Sequence, residues 1–256
     1  ELDAVAKLRN WSLADEEYKD TTLTLSSKRN GEQHVEGTFT RKLGGVLHVD
    51  TIFDRATRLA GVLSLRGLPL DSLLAQGGAL PVAGGALSAE LQLSGKADAP
   101  MIEGDVTLLR SWVQRAFLGS AAFTIEPVGT SSIRISGHVF QRRISIDWLL
   151  STKAPYQSEI EVQLRRVELD RFAPALSEKY AARGWVSGTL LYKGALAGDS
   201  KDSPQVHATL TEAEFIVDND DENGRPAPIR VRNRTPVELG YDGTTLSVIK
   251  EATIAG

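Results

Sequence analysis

The sequence predicts an all-β protein, built on an elongated, twisted and half-open β-sheet with two or three short helices. Three observations lead to this prediction. Apolar and polar residues alternate in about fourteen short segments, as they do in strands buried on one face. Turn residues separate these segments. A stretch of the chain also recurs about 99 residues later, and a fixed period is typical of repeat architectures.

The repeat is clearest between residues 84–95 and 184–194. The matched pairs are Leu87 with Val186, Ser88 with Ser187, Ala89 with Gly188, Leu91 with Leu190, Leu93 with Tyr192 and Gly95 with Gly194. Downstream, residues 100–107 match residues 204–211 once five inserted residues are allowed for. The chain is therefore expected to be an internal piece of a longer repeat protein. Its predicted parts are 1–58, the end of a preceding repeat, 59–157, the first repeat, and 158–256, a truncated second repeat.

The first 65 residues are predicted to hold one ambiguous segment and two hairpins. Residues 1–20 fit a short helix, because Leu2, Val5 and Leu8 recur at helical spacing, although a strand fits the same segment. We favour the helix. Asn30-Gly31 is the strongest short-range signal for a hairpin turn. The two predicted hairpins are 21–27 with 34–40, and 47–53 with 59–65 around residues 54–57.

Two short helices and a further series of strands are predicted beyond this point. The helices cover residues 69–77 and 170–180, with Asp71 and Asp170 as candidate N-caps. The predicted strands are 87–93, 102–108, an irregular one at 112–118, 121–125, 132–139, 143–148, 158–164, 185–192, 206–210, 215–217, one near Ile229, 237–241 and 245–249.

Almost every predicted strand is aliphatic on one face and polar on the other. Such a sheet must cover its apolar face with a second sheet, close into a barrel, or curl round something apolar, and periodicity does not separate these three. The apolar positions predicted to face the interior are Leu63, Leu65, Leu87, Leu91, Leu93, Val106, Leu108, Phe123, Ile125, Ile144, Ile146, Val162, Leu164, Val186, Leu190, Tyr192, Val206 and Leu210. The positions predicted to face outward include Ser88, Glu90, Gln92, Ser187, Thr189 and Lys193.

Composition excludes several classes of function. The 29 basic and 33 acidic residues give a net charge of −4, and no block of Lys and Arg is present to track a phosphate backbone, so nucleic acid is not an expected partner. The absence of cysteine excludes a disulfide framework, a thiolate metal site and a cysteine nucleophile. No apolar run is long enough for a membrane-spanning helix.

The motifs of catalysis and of metal binding are also missing. The four histidines, at positions 34, 48, 138 and 207, each stand alone in an alternating segment without metal-ligand spacing. Residues 218–224 are acidic, but they lack the glycine and glutamate positions of a calcium loop, which favours a solvated hairpin tip. No Gly-x-Ser-x-Gly elbow or phosphate-binding glycine loop occurs. We therefore predict a protein that is not an enzyme and that holds no cofactor or metal.

The order of motifs within each repeat resembles that of a known family. Each repeat combines a Leu-Asp pair, a predicted short helix, Leu-Ser-Ala-Glu-Leu (87–91) or Val-Ser-Gly-Thr-Leu (186–190), a closing glycine and a Pro-linked strand. Residues 233–246 also form a motif in which one predicted strand ends at Asp242-Gly243 and the next predicted strand begins. This order is similar to the repeat of the AsmA-like and TamB family of bacterial envelope proteins, and it covers most of residues 59–256. The loop at 198–203 departs from it.

The resemblance implies a β-groove, described as taco-like, whose apolar face binds phospholipid acyl chains along the interior positions above. It implies a periplasmic location, an inner-membrane anchor outside this chain, and a role in moving phospholipid toward the outer membrane or in assisting outer-membrane protein assembly. It also implies an outer-membrane partner of the Omp85 class, similar to TamA. The alternative function is a structural or adhesive β-sandwich repeat with a dry core, which the composition alone would favour.

Overall fold

A computed structural model of the chain describes residues 2–13, 16–70, 83–97, 99–113, 116–169, 182–196, 204–217, 228–250 and 254–255. These residues are almost entirely strand, and the strands form an open, twisted antiparallel sheet, so the predicted fold class is confirmed. The strands are β1 (Leu2–Leu13), β2 (Glu16–Ser27), β3 (Gln33–Arg41), β4 (Val46–Phe53), β5 (Leu59–Pro69), β6 (Ala83–Lys96), β7 (Ala99–Val113), β8 (Ala116–Val128), β9 (Ser132–Val139), β10 (Ile144–Ser151), β11 (Gln157–Glu168), β12 (Ala182–Ala195), β13 (Gln205–Val217), β14 (Ile229–Asn233), β15 (Val237–Tyr241), β16 (Leu246–Lys250) and β17 (Ile254–Ala255).

The chain divides into two units. The first comprises Glu1–Ser111 and Ser120–Ile135, and the second comprises Trp112–Gly119 and Ser136–Gly256. In the first unit, β1 to β6 each pair antiparallel with the next strand in sequence. In the second unit, β10 to β13 do the same, and β13 then pairs with β15 through its first half and with β14 through its second. Strands β15 and β14 pair in turn with β16 and β17.

The predicted N-terminal helix is wrong, because this segment is strand β1. It pairs with β2 along its whole length, from Leu2 opposite Ser27 to Leu13 opposite Glu16. A short helix in water needs an apolar stripe buried against other elements. Here Leu2, Val5 and Leu8 stay exposed, so their burial does not stabilise a helix. The cross-strand hydrogen bonds determine the conformation instead.

Two other predicted elements differ from the structure. Residues 206–210 and 215–217 belong to one continuous strand, β13. Leu210 pairs with Gly188 and Glu212 with Ser187, so Thr211 is an extra residue of β13 that shifts the phase of the apolar pattern without ending the strand. The predicted irregular strand at 112–118 is the end of β7 and the start of β8. The helix predicted at 170–180, all but the first two residues of the helix at 69–77, and the acidic loop at 218–224 lie outside the described residues.

The predicted hairpins are confirmed. Strands β2 and β3 pair around the Asn-Gly turn, where Gly31 has a φ of +82° and donates its N–H to the Lys28 carbonyl at 2.9 Å. Strands β15 and β16 pair as a hairpin across the predicted turn at Asp242-Gly243. There Asp242 accepts hydrogen bonds from the backbone N–H groups of Thr245 and Thr244, and these bonds hold the pKa of the Asp242 carboxyl below its ordinary value.

The two repeats share a β-bulge at equivalent positions. Strand β5 leaves register with β6 between Leu65 and Leu68, and β11 leaves register with β12 between Leu164 and Val167. These positions are 99 residues apart, which is the period found in the sequence. The residue after each bulge is buried, with Leu68 7% and Val167 4% exposed. The repeat is therefore present in the backbone geometry as well as in the sequence.

A serine satisfies the freed backbone donor at each bulge. The Gly67 N–H donates to Ser88 Oγ at 3.0 Å, and the Arg166 N–H donates to Ser187 Oγ at 3.0 Å. A bulge removes its extra residue from the ladder of backbone hydrogen bonds, so another acceptor is needed. Both serines belong to the matched Leu-Ser and Val-Ser pairs of the repeat, which gives this sequence match a physical role.

We expect Ser88→Ala and Ser187→Ala each to lower the free energy of unfolding by about 1 kcal/mol, because each leaves one N–H without its acceptor. Since the serines lie in different units, the double variant should show the sum of the two effects. Urea denaturation measures this. Ser94→Ala, at an exposed position of β6, is the control and should change stability by less than about 0.5 kcal/mol. Equal losses at Ser88 and Ser94 would contradict the bulge role.

Candidate functional site

The apolar side chains of the first unit lie in cross-strand rows on one face of its sheet. In an antiparallel pair, directly opposite residues point to the same face. The central row consists of Leu23, Gly37, Val49, Leu63 and Leu91, on β2 to β6. The flanking rows are Leu25, Val35, Thr51, Gly61 and Leu93 on one side, and Thr21, Phe39, Leu47, Leu65 and Ala89 on the other. Together they form an apolar face across five strands.

The second unit repeats this arrangement. Its central row consists of Ile146, Val162, Leu190, Ala208, Leu239 and Val248. The flanking rows are Ile144, Leu164, Gly188, Leu210 and Val237 on one side, and Trp148, Ile160, Tyr192, Val206 and Tyr241 on the other. Each unit therefore presents an apolar face of three aligned rows.

All eighteen predicted interior residues lie in strands, nine in each unit. Ile125 and Val186 are buried, and the other sixteen are half-buried. The strand registers bring several of them directly opposite one another, among them Leu63 with Leu91. The other such pairs are Ile144 with Leu164, Ile146 with Val162, Val162 with Leu190, and Tyr192 with Val206. Leu87 lies beyond the bulge, opposite the buried Leu68.

Few large apolar side chains are buried in the described part of the chain. The hydrophobic residues no more than 9% exposed are Leu68, Ala89, Ala121, Ile125, Val139, Phe140, Val167, Val186 and Ala213. The one compact cluster, among the described residues, joins Val167, Val186 and Ala213 at one end of the second unit. In a closed β-sandwich the central rows would be buried by the facing sheet. Here Leu63, Leu91 and every other member of the central rows except Gly37 keep part of their surface accessible.

The opposite face of the first unit carries a polar network. His34 and Asp50 are paired at 2.6 Å, and the Thr38 hydroxyl lies 3.0 Å from His48 Nδ1. On the next two strands, the Ser64 hydroxyl donates to Glu90. This bond is the main reason that the pKa of the Glu90 carboxyl lies below its ordinary value. These are cross-strand interactions between exposed or half-buried groups, of the kind that stabilises a solvated sheet face.

The residues predicted to face outward lie on this polar side of their strands. Glu90, Gln92 and Lys193 are exposed, and Thr189 is half-buried. Ser88 and Ser187 are half-buried by their bonds to the bulges described above. Among the described residues, no three His, Asp or Glu side chains are grouped so that they could hold a metal ion. His138 and His207 contact Ser145 and Thr209, respectively.

The sequence analysis missed several members of the apolar rows. The additional members include Leu23, Val35, Phe39 and Val49 in the first unit, and Trp148, Ile160, Ala208 and Leu239 in the second. The signal that identifies them is the same alternation used for the others.

An aromatic cluster at one end of the first unit was also missed. Trp11 stacks on Tyr18 with ring centroids 4.5 Å apart, and Phe39 lies 6.4 Å from each of them. Trp11 Nε1 donates to the Thr21 hydroxyl at 2.9 Å. Asn10, with a φ of +46°, interrupts the alternation just before Trp11, which is why the pattern did not reveal this position.

The described residues contain no helix of the length and apolarity that crossing a membrane requires. Comparisons with protein-family models, with curated proteins and with solved structures find no match to this chain.

Proposed function

We propose that this chain is part of a bridge-like protein of the bacterial envelope, and that the apolar face of its sheet carries the acyl chains of phospholipids. The observation that supports this proposal is the state of the Leu, Ile, Val and aromatic side chains in the apolar rows, all of which are half-buried or exposed although the rows run across the paired strands of each unit. A face of this kind leaves apolar area that a ligand can cover, and covering it is favourable by roughly 25 cal/mol per Å².

The dimensions of the rows suit an acyl chain. A row across five strands is about 19 Å long at ~4.8 Å between strands, which is close to the length of an extended fatty acyl chain. Each methylene removed from water contributes about 0.8 kcal/mol. The polar groups of the opposite face, such as Glu90 and His34, keep that side of the sheet in water. Lipid chains would then lie on one face only.

The cellular setting is proposed from the family resemblance. We place the chain in the periplasm, in a protein anchored to the inner membrane by a segment outside this chain. It would carry phospholipid between the inner and outer membranes, assist outer-membrane protein assembly, or both, with a partner of the Omp85 class similar to TamA. The Asp-Gly hairpin and the repeated bulge support the resemblance, because both coincide with its motifs. A structural sandwich with a dry core fits less well, since it requires buried rows.

The test is photo-crosslinking of lipid at defined positions. Benzoylphenylalanine placed at Leu91 or Leu190, on the apolar face, should label co-purified or added phospholipid. The same probe at Glu90 or Thr189, the adjacent residues on the polar face, is the control and should label little. Equal labelling at both pairs of positions, or none at Leu91 and Leu190, would refute the proposed function.

A further inference from the structure

The Phe39 ring lies across the central apolar row of the first unit. Phe39 and Gly37 are two residues apart on β3, so both face the apolar side of the sheet. A Cβ built on Gly37 would lie 2.9 Å from Cε2 and 3.2 Å from Cζ of the Phe39 ring, and 3.2 Å from Cδ1 of Leu23. Gly37 is buried, although the row to which it belongs is otherwise accessible. The ring therefore occupies the space that a side chain at position 37 would take.

The aromatic cluster holds the ring in this position. The Phe39 centroid is 6.4 Å from those of Trp11 and Tyr18, which stack on each other at 4.5 Å. Trp11 is held in turn by its hydrogen bond to the hydroxyl of Thr21, which is 3% exposed and lies opposite Phe39. Aromatic pairs at such separations are favourable beyond the apolar area that they bury. Phe39 is thus part of a packed block of three rings.

The aromatic residues of the second unit lean away from its central row. They belong to one flanking row and are Trp148, Tyr192 and Tyr241. Their polar ends lie 2.7 Å from Ser158 Oγ, 2.8 Å from the position that a Gly194 Cβ would take, and 2.7 Å from the Gly243 carbonyl oxygen, respectively. All three contacts are on the side of the flanking row away from Leu190 and the central row. No ring of this set covers the central row.

The central rows of the two units therefore differ in how far they stay open. In the second unit the row crosses six strands, a length of about 24 Å at the usual strand spacing. In the first unit the stretch that begins at Val49 on β4 is closed by the ring on β3. An acyl chain that met the ring would have to shift by two residues along the strands, about 7 Å, to continue beside Val35. The buried Thr51 and Gly61 interrupt the apolar side chains of that neighbouring row.

We propose that the Phe39 ring is the closed end of the acyl-chain track of the first unit, and that it determines the length of chain which this unit accepts. This inference rests on the proposed function. Each methylene that lies on the row before the ring is removed from water, whereas methylenes beyond that point gain no such burial. Gly37 contributes because the absence of a side chain there leaves room for the ring. The ligand is then a phospholipid selected by the length of its acyl chain.

Competition between lipids of different chain length tests the closed end on the whole chain. A phosphatidylglycerol with a photo-reactive acyl chain labels the protein, and lysophosphatidylglycerols with saturated chains of increasing length compete below their micelle concentrations. Mass spectrometry of peptides from β4 to β6 and from β11 to β13 reads the two units separately. For the first unit, we expect competition to strengthen about fourfold per added methylene and then to level off. In Phe39→Ala it should level off at longer chains, because β3 and β2 add about 10 Å of open row.

A second variant moves the closed end in the opposite direction. Val49→Phe places a ring on β4, directly opposite Gly37, and competition should then level off at shorter chains, by one strand spacing of about 4.8 Å. This variant decides the matter if Phe39→Ala does not fold, which thermal unfolding shows. The matched control is Tyr192→Ala, which removes a ring that leans away from the central row of the second unit. It should leave the chain length at which second-unit competition levels off unchanged.

Three results would overturn the closed end while leaving the proposed function in place. The first is competition at the first unit of the parent chain that keeps strengthening with chain length. The second is an unchanged levelling point in folded Phe39→Ala or in Val49→Phe. The third is an equal shift in Tyr192→Ala, because loss of any aromatic surface would then produce the effect. Absence of phospholipid labelling from the parent chain would overturn both the closed end and the proposed function.

Discussion

An aspartate at Leu190 is expected to leave the chain folded and to abolish most of the lipid binding that we propose. Leu190 is half-buried in the central row of the second unit, between Val162 and Ala208, so a carboxylate at this position can still reach water. We expect a loss of about 1–2 kcal/mol in the free energy of unfolding. A bound acyl chain would instead cover that carboxylate, at a cost of several kcal/mol, so affinity should fall by about 100-fold or more.

The matched control lies on the same face of the same strand. Val186 is 7% exposed and packs with Val167 and Ala213, so Val186→Asp buries a charge without a partner and should unfold the second unit. In the first unit, Leu91→Asp and Ala89→Asp form the equivalent pair. Urea denaturation and titration with a fluorescent phospholipid measure the two effects separately. If Leu190→Asp proved as destabilising as Val186→Asp, the central row would be a dry core and the sandwich alternative would be correct.

The strands and turns that the sequence predicts correctly are those whose determinants are local. Alternation within β3 to β6, the Asn-Gly dipeptide before β3 and the Asp-Gly dipeptide after β15 each specify their element within a few residues. The 99-residue period is likewise visible in the sequence, and the structure has the same bulge in β5 and β11 at this spacing. Local patterns were sufficient for these features because strand and turn preferences agreed with the global fold.

The features that the sequence did not predict depend on partners distant in the chain. Strand β1 is a strand because β2 offers it a complete ladder, which overrides the helical spacing of its apolar residues. The sequence also does not predict whether an apolar row is covered. A row buried by a facing sheet and a row left open to water show the same alternation, and only the three-dimensional structure distinguishes them.

Gly104→Ala is expected to destabilise the first unit by more than about 3 kcal/mol, although it adds a single methyl group. Gly104 has a φ of +143°, a conformation that is essentially restricted to glycine. A Cβ at this position would overlap the Glu90 carbonyl oxygen and lie 3.0 Å from the Leu91 Cα. Because these are backbone atoms of the neighbouring strand, they cannot move aside as a side chain can, and the strand that carries Gly104 would have to separate from them.

The control for Gly104→Ala is Gly67→Ala, which separates backbone strain from steric overlap. Gly67 also has a positive φ, +62°, but nothing lies within 4 Å of the position that its Cβ would take. Only the conformational cost of roughly 1 kcal/mol is then expected. Urea midpoints of the two variants measure the difference. Similar losses would show that the strand bearing Gly104 does not approach Glu90 and Leu91 as closely as described, and so would contradict the strand packing on which the apolar face of the first unit depends.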